Sequence, residues 1–426
     1  MGKLKVITHL ELPYGKSKLS FDLPSGWRAD LLRPNPVPLA QDPQREVFES
    51  LENPLGNRRI ADFRGARTAA IAISDETRLV PHRLILPPIL DQLEKIGIAP
   101  SAVQILIASG LHPPMPVSHL SRVLTDEILR RYPVVVHDAN RTDLTSLGNT
   151  SRGTPVFLNP LFCQAELRIV IGLIDPHQFV GYTGGVKGAA IGLAGSQTIE
   201  ANHSMLFQPE AVVGEILANP VRQDIEEIGK MAGVHWVMNV VLNEANEVVR
   251  IFSGDPVEVE RAGSEFCRSV YETGASKEYD LVIASPGGYP KDINVYQAQK
   301  ALAHVSPLVR PGGDILFFAE CPEGHGDELF YRMMTQHKTP QEVVERFRKE
   351  RFQMGRHKAF LWCRSLIKAH VHLHSSIDER LSRTLMVQPV KTIEDTLQKI
   401  GTQYPGPPQI AVIPKANSTY IKVRKD

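Results

Sequence analysis

The feature that most restricts how this chain can fold is a series of short, unbroken apolar runs separated by helical stretches. TAAIAIS (68–74), VQILIAS (103–109), PVVVHD (133–138) and ELRIVIGLID (166–175) form the first set. A run that is apolar at every position belongs to a strand covered on both faces. Alternation of such strands with helices predicts a sheet that is largely parallel. HWVMNVVLN (235–243) and EVVRIFS (247–253) read as a hairpin turning at Glu244, Ala245 and Asn246, and a helix follows from about Pro256 to Thr273. From Tyr279 a second set begins, DLVIASPGG, GDILFFAE, HVHLHS and QIAVIPK, again with helical stretches between. At the N-terminus, Leu4 to Leu12 and Lys18 to Leu23 alternate as strands do, and a Pro-rich linker covers Arg33 to Asp42. The expected fold class is α/β. Two lobes are expected, each with a largely parallel or mixed sheet flanked by helices, and the active site in the interdomain cleft. The break near Gly274 divides the chain into 1–273, the cofactor-binding and catalytic domain, and 274–426, a smaller domain closing over the site.

Composition narrows the function by exclusion. Among the 426 residues, 48 Lys+Arg balance 47 Asp+Glu, so a net charge of +1 advertises no nucleic-acid partner. No apolar run approaches the roughly 18 residues of a membrane helix, and the N-terminus reads as strand rather than as a secretory leader. Cys163, Cys267, Cys321 and Cys363 lie far apart, which suits neither a disulfide framework nor a cysteine zinc site. A cytoplasmic enzyme is expected.

Polar and Gly-rich clusters follow directly on the strands, where α/β proteins build their sites. SDETRLVP brings Asp75 and Arg78, and GLHPP brings His112. PHQFVGYTGGVKGAAIG brings His177, Thr183, Gly184, Gly185 and Lys187, and the next helix carries Glu200, Asn202 and His203. In the second set, PGGYPKDINVYQAQK carries Tyr296, Gln297 and Lys300. Each has a plain structural reading. Asp75 and Arg78 can be a local cap and ion pair, His112 a turn residue, GYTGG a tight loop and His203 a packed histidine. GYTGGVKG matches neither GxxxxGK[ST] nor GxGxxG, although a Gly-rich turn opening a helix still offers N–H groups to a phosphate. His370, His372 and His374 share one strand face, but match no metal spacing and read as structural. What favours function is the co-occurrence of these side chains at strand ends.

Taken in order, SDETRLVP, ASGLHPP, DPHQFVGYTGGVKGAAIGLAGSQTIEANHS and GGYPKDINVYQAQKA closely resemble the nickel-pincer lactate racemase family. The resemblance runs over nearly the whole chain. It implies a racemase or epimerase that inverts C2 of a 2-hydroxy acid through a 2-keto acid. The implied cofactor is a pyridinium mononucleotide whose sulfur substituents hold nickel in a pincer, built by separate maturation proteins. By position, Lys187 would hold the cofactor, covalently in some members, with Asp75, Thr183, Gly184 and Gly185 around it, and His203 would ligate nickel. His112 and His177 would be the two catalytic bases. Arg78, Tyr296, Gln297 and Lys300 would bind substrate. The chain has Leu79 where the family commonly has Pro. It places His357 near a position where lactate enzymes carry tryptophan, which favours a larger or more oxygenated acid.

These residue types suit that reaction. The C2–H bond of a hydroxy acid is weakly acidic, so removing hydride avoids a carbanion and gives a planar keto acid open to hydride on either face. The hydroxyl proton leaves on opposite sides for the two hands, so one base per side is needed, and imidazole, with a pKa of about 6.5, is suited. A guanidinium fork matches a carboxylate. Other readings are a zinc or iron hydrolase or lyase ligated by His112, His177 and His203, and a non-catalytic cofactor-binding homologue. A nicotinamide dehydrogenase fits less well, since neither lobe shows GxGxxG.

Overall fold

The computed structural model describes residues 5–275, 277–350 and 352–423. The chain forms two compact units: Pro36–Val270, and the N-terminal residues up to Asn35 together with Tyr271 onward. The expected division into 1–273 and 274–426 therefore differs at the N-terminus. Strand Ala29–Leu31 pairs in parallel with Ile410–Ile413, and Lys5–Ile7 runs antiparallel beside it. Sequence alternation reveals a strand but not its partner, and here the partner lies at the far end of the chain.

The Pro36–Val270 unit is built on six strands in the order Val248–Gly254, Trp236–Leu242, Leu167–Leu173, Ala69–Ser74, Val103–Ala108 and Val134–Val136. All pairs are parallel except the Trp236–Leu242/Val248–Gly254 hairpin, as its turn signal predicts. All seven residues of Trp236–Leu242 are buried, which is why the run lacks a polar alternation. Helix His82–Lys95 buries Ile85, Leu86, Ile89, Leu90 and Leu93, a stripe at helical spacing, against this sheet. Each fully buried Ile, Leu or Val contributes about 1.5–3 kcal/mol.

The strand order reverses between Ala69–Ser74 and Leu167–Leu173: the chain first runs outward through Val103–Ala108 to Val134–Val136, then returns to the other side. Doubly wound sheets bind ligands beyond the carboxyl ends of strands at such a reversal. Asp75 to Arg78 and Asp175 to His177 stand at that point.

The second unit has a seven-stranded sheet in the order Lys5–Ile7, Ala29–Leu31, Ile410–Ile413, Tyr279–Ala284, Val309–Phe318, His370–His374 and Gln388–Pro389. Hairpin His9–Tyr14/Ser17–Asp22 lays Leu10, Leu12 and Phe21 into its core beside Phe318. Among the described residues no helix is long and apolar enough to cross a membrane.

Candidate active site

Asp75 follows the last residue of its strand and is 5% exposed. Its Oδ1 accepts from the Thr77 backbone N–H at 3.0 Å, and its Oδ2 lies 3.1 Å from His112 Nδ1. Burial pushes the Asp75 carboxyl up, but the bonds from His112 and Thr77 outweigh it and hold the pKa below its usual value. An ionised carboxylate only accepts, so the His112 proton sits on Nδ1 and Nε2 carries the lone pair of a base. The His112 side chain remains 47% exposed, as a group that meets substrate requires.

His177 lies in a two-residue strand paired with Gly181–Tyr182. The Val180 N–H lies 3.3 Å from its Nδ1. The buried Phe179 ring meets His177 edge-on, centroids 4.7 Å apart at 83°. It meets His203 the same way at 5.1 Å and 77°. One aromatic ring thus sets the mutual placement of two of the expected site histidines. Nothing in its spacing distinguishes Phe179 from an ordinary core residue, and sequence reasoning missed it.

The glycines of GYTGG are a steric necessity. Gly184 has φ +96°, and a Cβ there would stand 2.4 Å from Ile174 Cγ1; Gly185 has φ +56°, and its Cβ would meet Arg222 Nη2 at 2.7 Å. The Gly185 N–H donates to Asn239 Oδ1 at 2.7 Å. Thr183 turns its hydroxyl back to the Leu173 carbonyl at 2.6 Å, so that group braces the loop. Beneath it, fully buried Arg222 donates to the Tyr182 carbonyl at 3.2 Å and pairs with Glu260 at 2.9 Å and Glu226 at 2.5 Å. Burial raises Glu260 to about 7 against the opposing pull of Arg222. Arg222, Glu226, Glu260 and Asn239 were also invisible to motif reading, because they come from two helices and a strand far from the loop in sequence.

Lys187 opens the helix after the loop. Burial, then the charges of Arg78 and Arg222, lower its ammonium from 10.5 to about 7. His203 is 5% exposed, and burial together with Lys187 lowers its pKa to about 3, so the ring stays neutral. Its Nδ1 lies 2.9 Å from Asn202 Oδ1. The electrostatics thus link Arg78, Lys187, Arg222 and His203 into one locality, with His177 joined through Phe179.

Tyr296, Gln297 and Lys300 lie in the other unit on helix Val295–Val305, where Lys300 Nζ donates to Gln297 Oε1 at 2.9 Å. Burial and Asp327 raise the Tyr296 phenol well above its ordinary value. The three histidines of strand His370–His374 are structural, as expected. His372 bonds buried Asp314 at 2.8 Å, His374 packs against Tyr14 and Phe318, and His370 is exposed.

Among the described residues no group of three or more His, Cys, Asp or Glu is arranged to hold a metal. A zinc or iron site ligated by His112, His177 and His203 therefore lacks its geometry. The neutral His203 imidazole lies beside Lys187, whose pKa is lowered, at the helix that follows the glycine turn.

The chain thus pairs a doubly wound unit, with polar clusters at its topological reversal, with a second α/β unit. Residues 14–214 match the model of the lactate racemase N-terminal domain, and residues 275–421 that of the lactate racemase C-terminal domain. The chain belongs to the lactate racemase family. It is 35% identical to the lactate racemase of Thermoanaerobacterium thermosaccharolyticum over 80% of this chain and 81% of that protein. It is 29% identical to that of Lactiplantibacillus plantarum over 89% and 91%. The solved structure of the lactate racemase apoprotein from T. thermosaccharolyticum matches with a TM-score of 0.91 at 32% identity, covering 98% of this chain and 100% of that one.

Proposed function

We propose that this racemase inverts C2 of a 2-hydroxy acid through a 2-keto acid, using a nickel-pincer pyridinium mononucleotide bound at Lys187 and His203. The observation that carries the reading is the convergence at one strand reversal of an Asp75-backed His112, a His177–Phe179–His203 stack and a lysine of lowered pKa. Bound there, the cofactor supplies a reversible acceptor for the C2 hydride.

The protein's own residues do the rest. His203 presents an uncharged imidazole to nickel, and Lys187, partly neutral near pH 7, is fit to hold the cofactor through its amine. His112, its Nδ1 proton held by Asp75, takes the hydroxyl proton of one hand at Nε2. His177 handles the proton of the other hand. Arg78 adds a cationic fork for the substrate carboxylate. The resemblance assigns Tyr296, Gln297 and Lys300 to substrate as well, which replacing Lys300 by Ala checks separately. Cofactor-maturation proteins are the expected partners. The four cysteines, none in a disulfide, suit a reducing cytoplasm.

The test compares nickel per chain, and racemisation of a panel of 2-hydroxy acids, after production with and without the cofactor-building enzymes. Nickel near one per chain, dependent on those enzymes and accompanied by racemisation, is expected. A folded chain with no nickel, or with the same metal either way, overturns the cofactor assignment. His112→Gln and His177→Gln should keep nickel and lose activity; near-normal activity in either removes it as a base.

A further inference from the structure

Two residues to which the sequence motifs assigned no role stand behind His203. Asn202 precedes it on helix Ser196–Ser204 and is fully buried. The Asn202 Nδ2 donates to the Val221 carbonyl at 3.1 Å and to Asp224 Oδ2 at 2.8 Å. Asp224, also fully buried, accepts from the Thr150 hydroxyl at 2.6 Å through its other oxygen. A carbonyl and a carboxylate can only accept, so these two partners fix which end of the Asn202 amide is nitrogen. The oxygen must then face His203, and an amide oxygen can only accept. The bond at 2.9 Å is therefore a donation from His203 Nδ1–H, and Nε2 holds the lone pair.

We propose that Asn202 and Asp224 are positioning residues for the metal. They form a relay, Thr150 to Asp224 to Asn202 to His203, that locks His203 in the Nδ1–H tautomer with Nε2 ready for nickel. The bonds from Asn202 Nδ2 to Asp224 and to the Val221 carbonyl polarise the amide, and a more polarised amide oxygen strengthens Nε2 as a donor. A free imidazole has no such constraint on which nitrogen is protonated. Since the nickel assignment belongs to the proposed function, the inference rests on it for its purpose, but the tautomer can be measured without metal.

Two measurements test the relay. In the cofactor-free chain with ring-15N histidine, long-range proton–nitrogen spectra assign the His203 tautomer, with His203→Gln identifying its signals. The wild type should show Nδ1–H alone, and Asn202→Ala a mixture with Nε2–H. In the matured protein, nickel retention against a chelator should fall about 10–100-fold for Asn202→Ala, the usual effect of losing a partner of a ligating histidine. The double variant Asn202→Asp with Asp224→Asn reverses the relay while keeping an acceptor on His203 and a donor to it. It should recover part of the retention that Asn202→Asp alone, with two facing carboxylates, loses, the remainder going with the lost donation to the Val221 carbonyl. An unchanged tautomer in folded Asn202→Ala, or retention that follows thermal stability through all variants, overturns the relay. Wild type that takes up no nickel overturns the proposed function instead, and the tautomer of the cofactor-free chain still decides the relay.

Discussion

Replacing Lys187 by Met in the cofactor-free chain should change how stability depends on pH. Packing and the charges of Arg78 and Arg222 bring Lys187 from 10.5 to about 7. At about 1.36 kcal/mol per pKa unit, that is roughly 5 kcal/mol of differential interaction. The sign follows from proton counting. Between pH 7 and 10.5 the unfolded chain holds a proton on this lysine that the folded chain has released, so stability rises with pH across that window. Lys187→Met lacks this contribution. Between pH 7.5 and 9.5 the wild type should therefore gain about 2–3 kcal/mol relative to the variant. Denaturant unfolding followed at Trp236, with Trp27 and Trp362 changed to Phe, reads the unit that holds Lys187, because the chain has only these 3 tryptophans. Titrations not coupled to Lys187 cancel in the difference between wild type and variant, and that of His203, which Lys187 lowers, lies below this window. A difference constant with pH, or a wild type that loses stability relative to Lys187→Met as pH rises, would refute the electrostatic account of this lysine.

Three further outcomes follow from the same geometry. Asp75→Asn removes the carboxylate that sets the His112 tautomer, and racemisation followed by circular dichroism should fall about 10²–10⁴-fold while nickel content holds. Gly184→Ala forces a Cβ to within 2.4 Å of Ile174 Cγ1 at a positive φ, so the thermal midpoint should drop markedly; an unchanged midpoint means the loop is not held as described. Phe179→Ala empties the space between His177 and His203 and should cost about 3–5 kcal/mol in denaturant unfolding, with activity lost beyond that stability effect.

Much of the architecture was legible because strand and helix signals are local. The runs at 68–74, 103–109, 166–175 and 235–243 each became strands, since continuous apolarity reports burial on both faces wherever the chain goes next. The same holds for the site's inventory: histidines, a lysine and glycines directly after strands stood out as a pattern. What the tertiary structure alone decided were the pairings, whose partners are distant in sequence and leave no periodic trace. Strand Ala29–Leu31 crossed to the C-terminal unit. Asp75 found His112, Phe179 lodged between two histidines, and Arg222 gathered Glu226 and Glu260 beneath the glycine turn. Asn202 and Asp224 became a relay only when two helices packed, because an amide's orientation is chosen by whatever acceptors surround it. Local patterning says what a residue can do, and the charges and hydrogen-bond partners brought by folding decide which proton it holds.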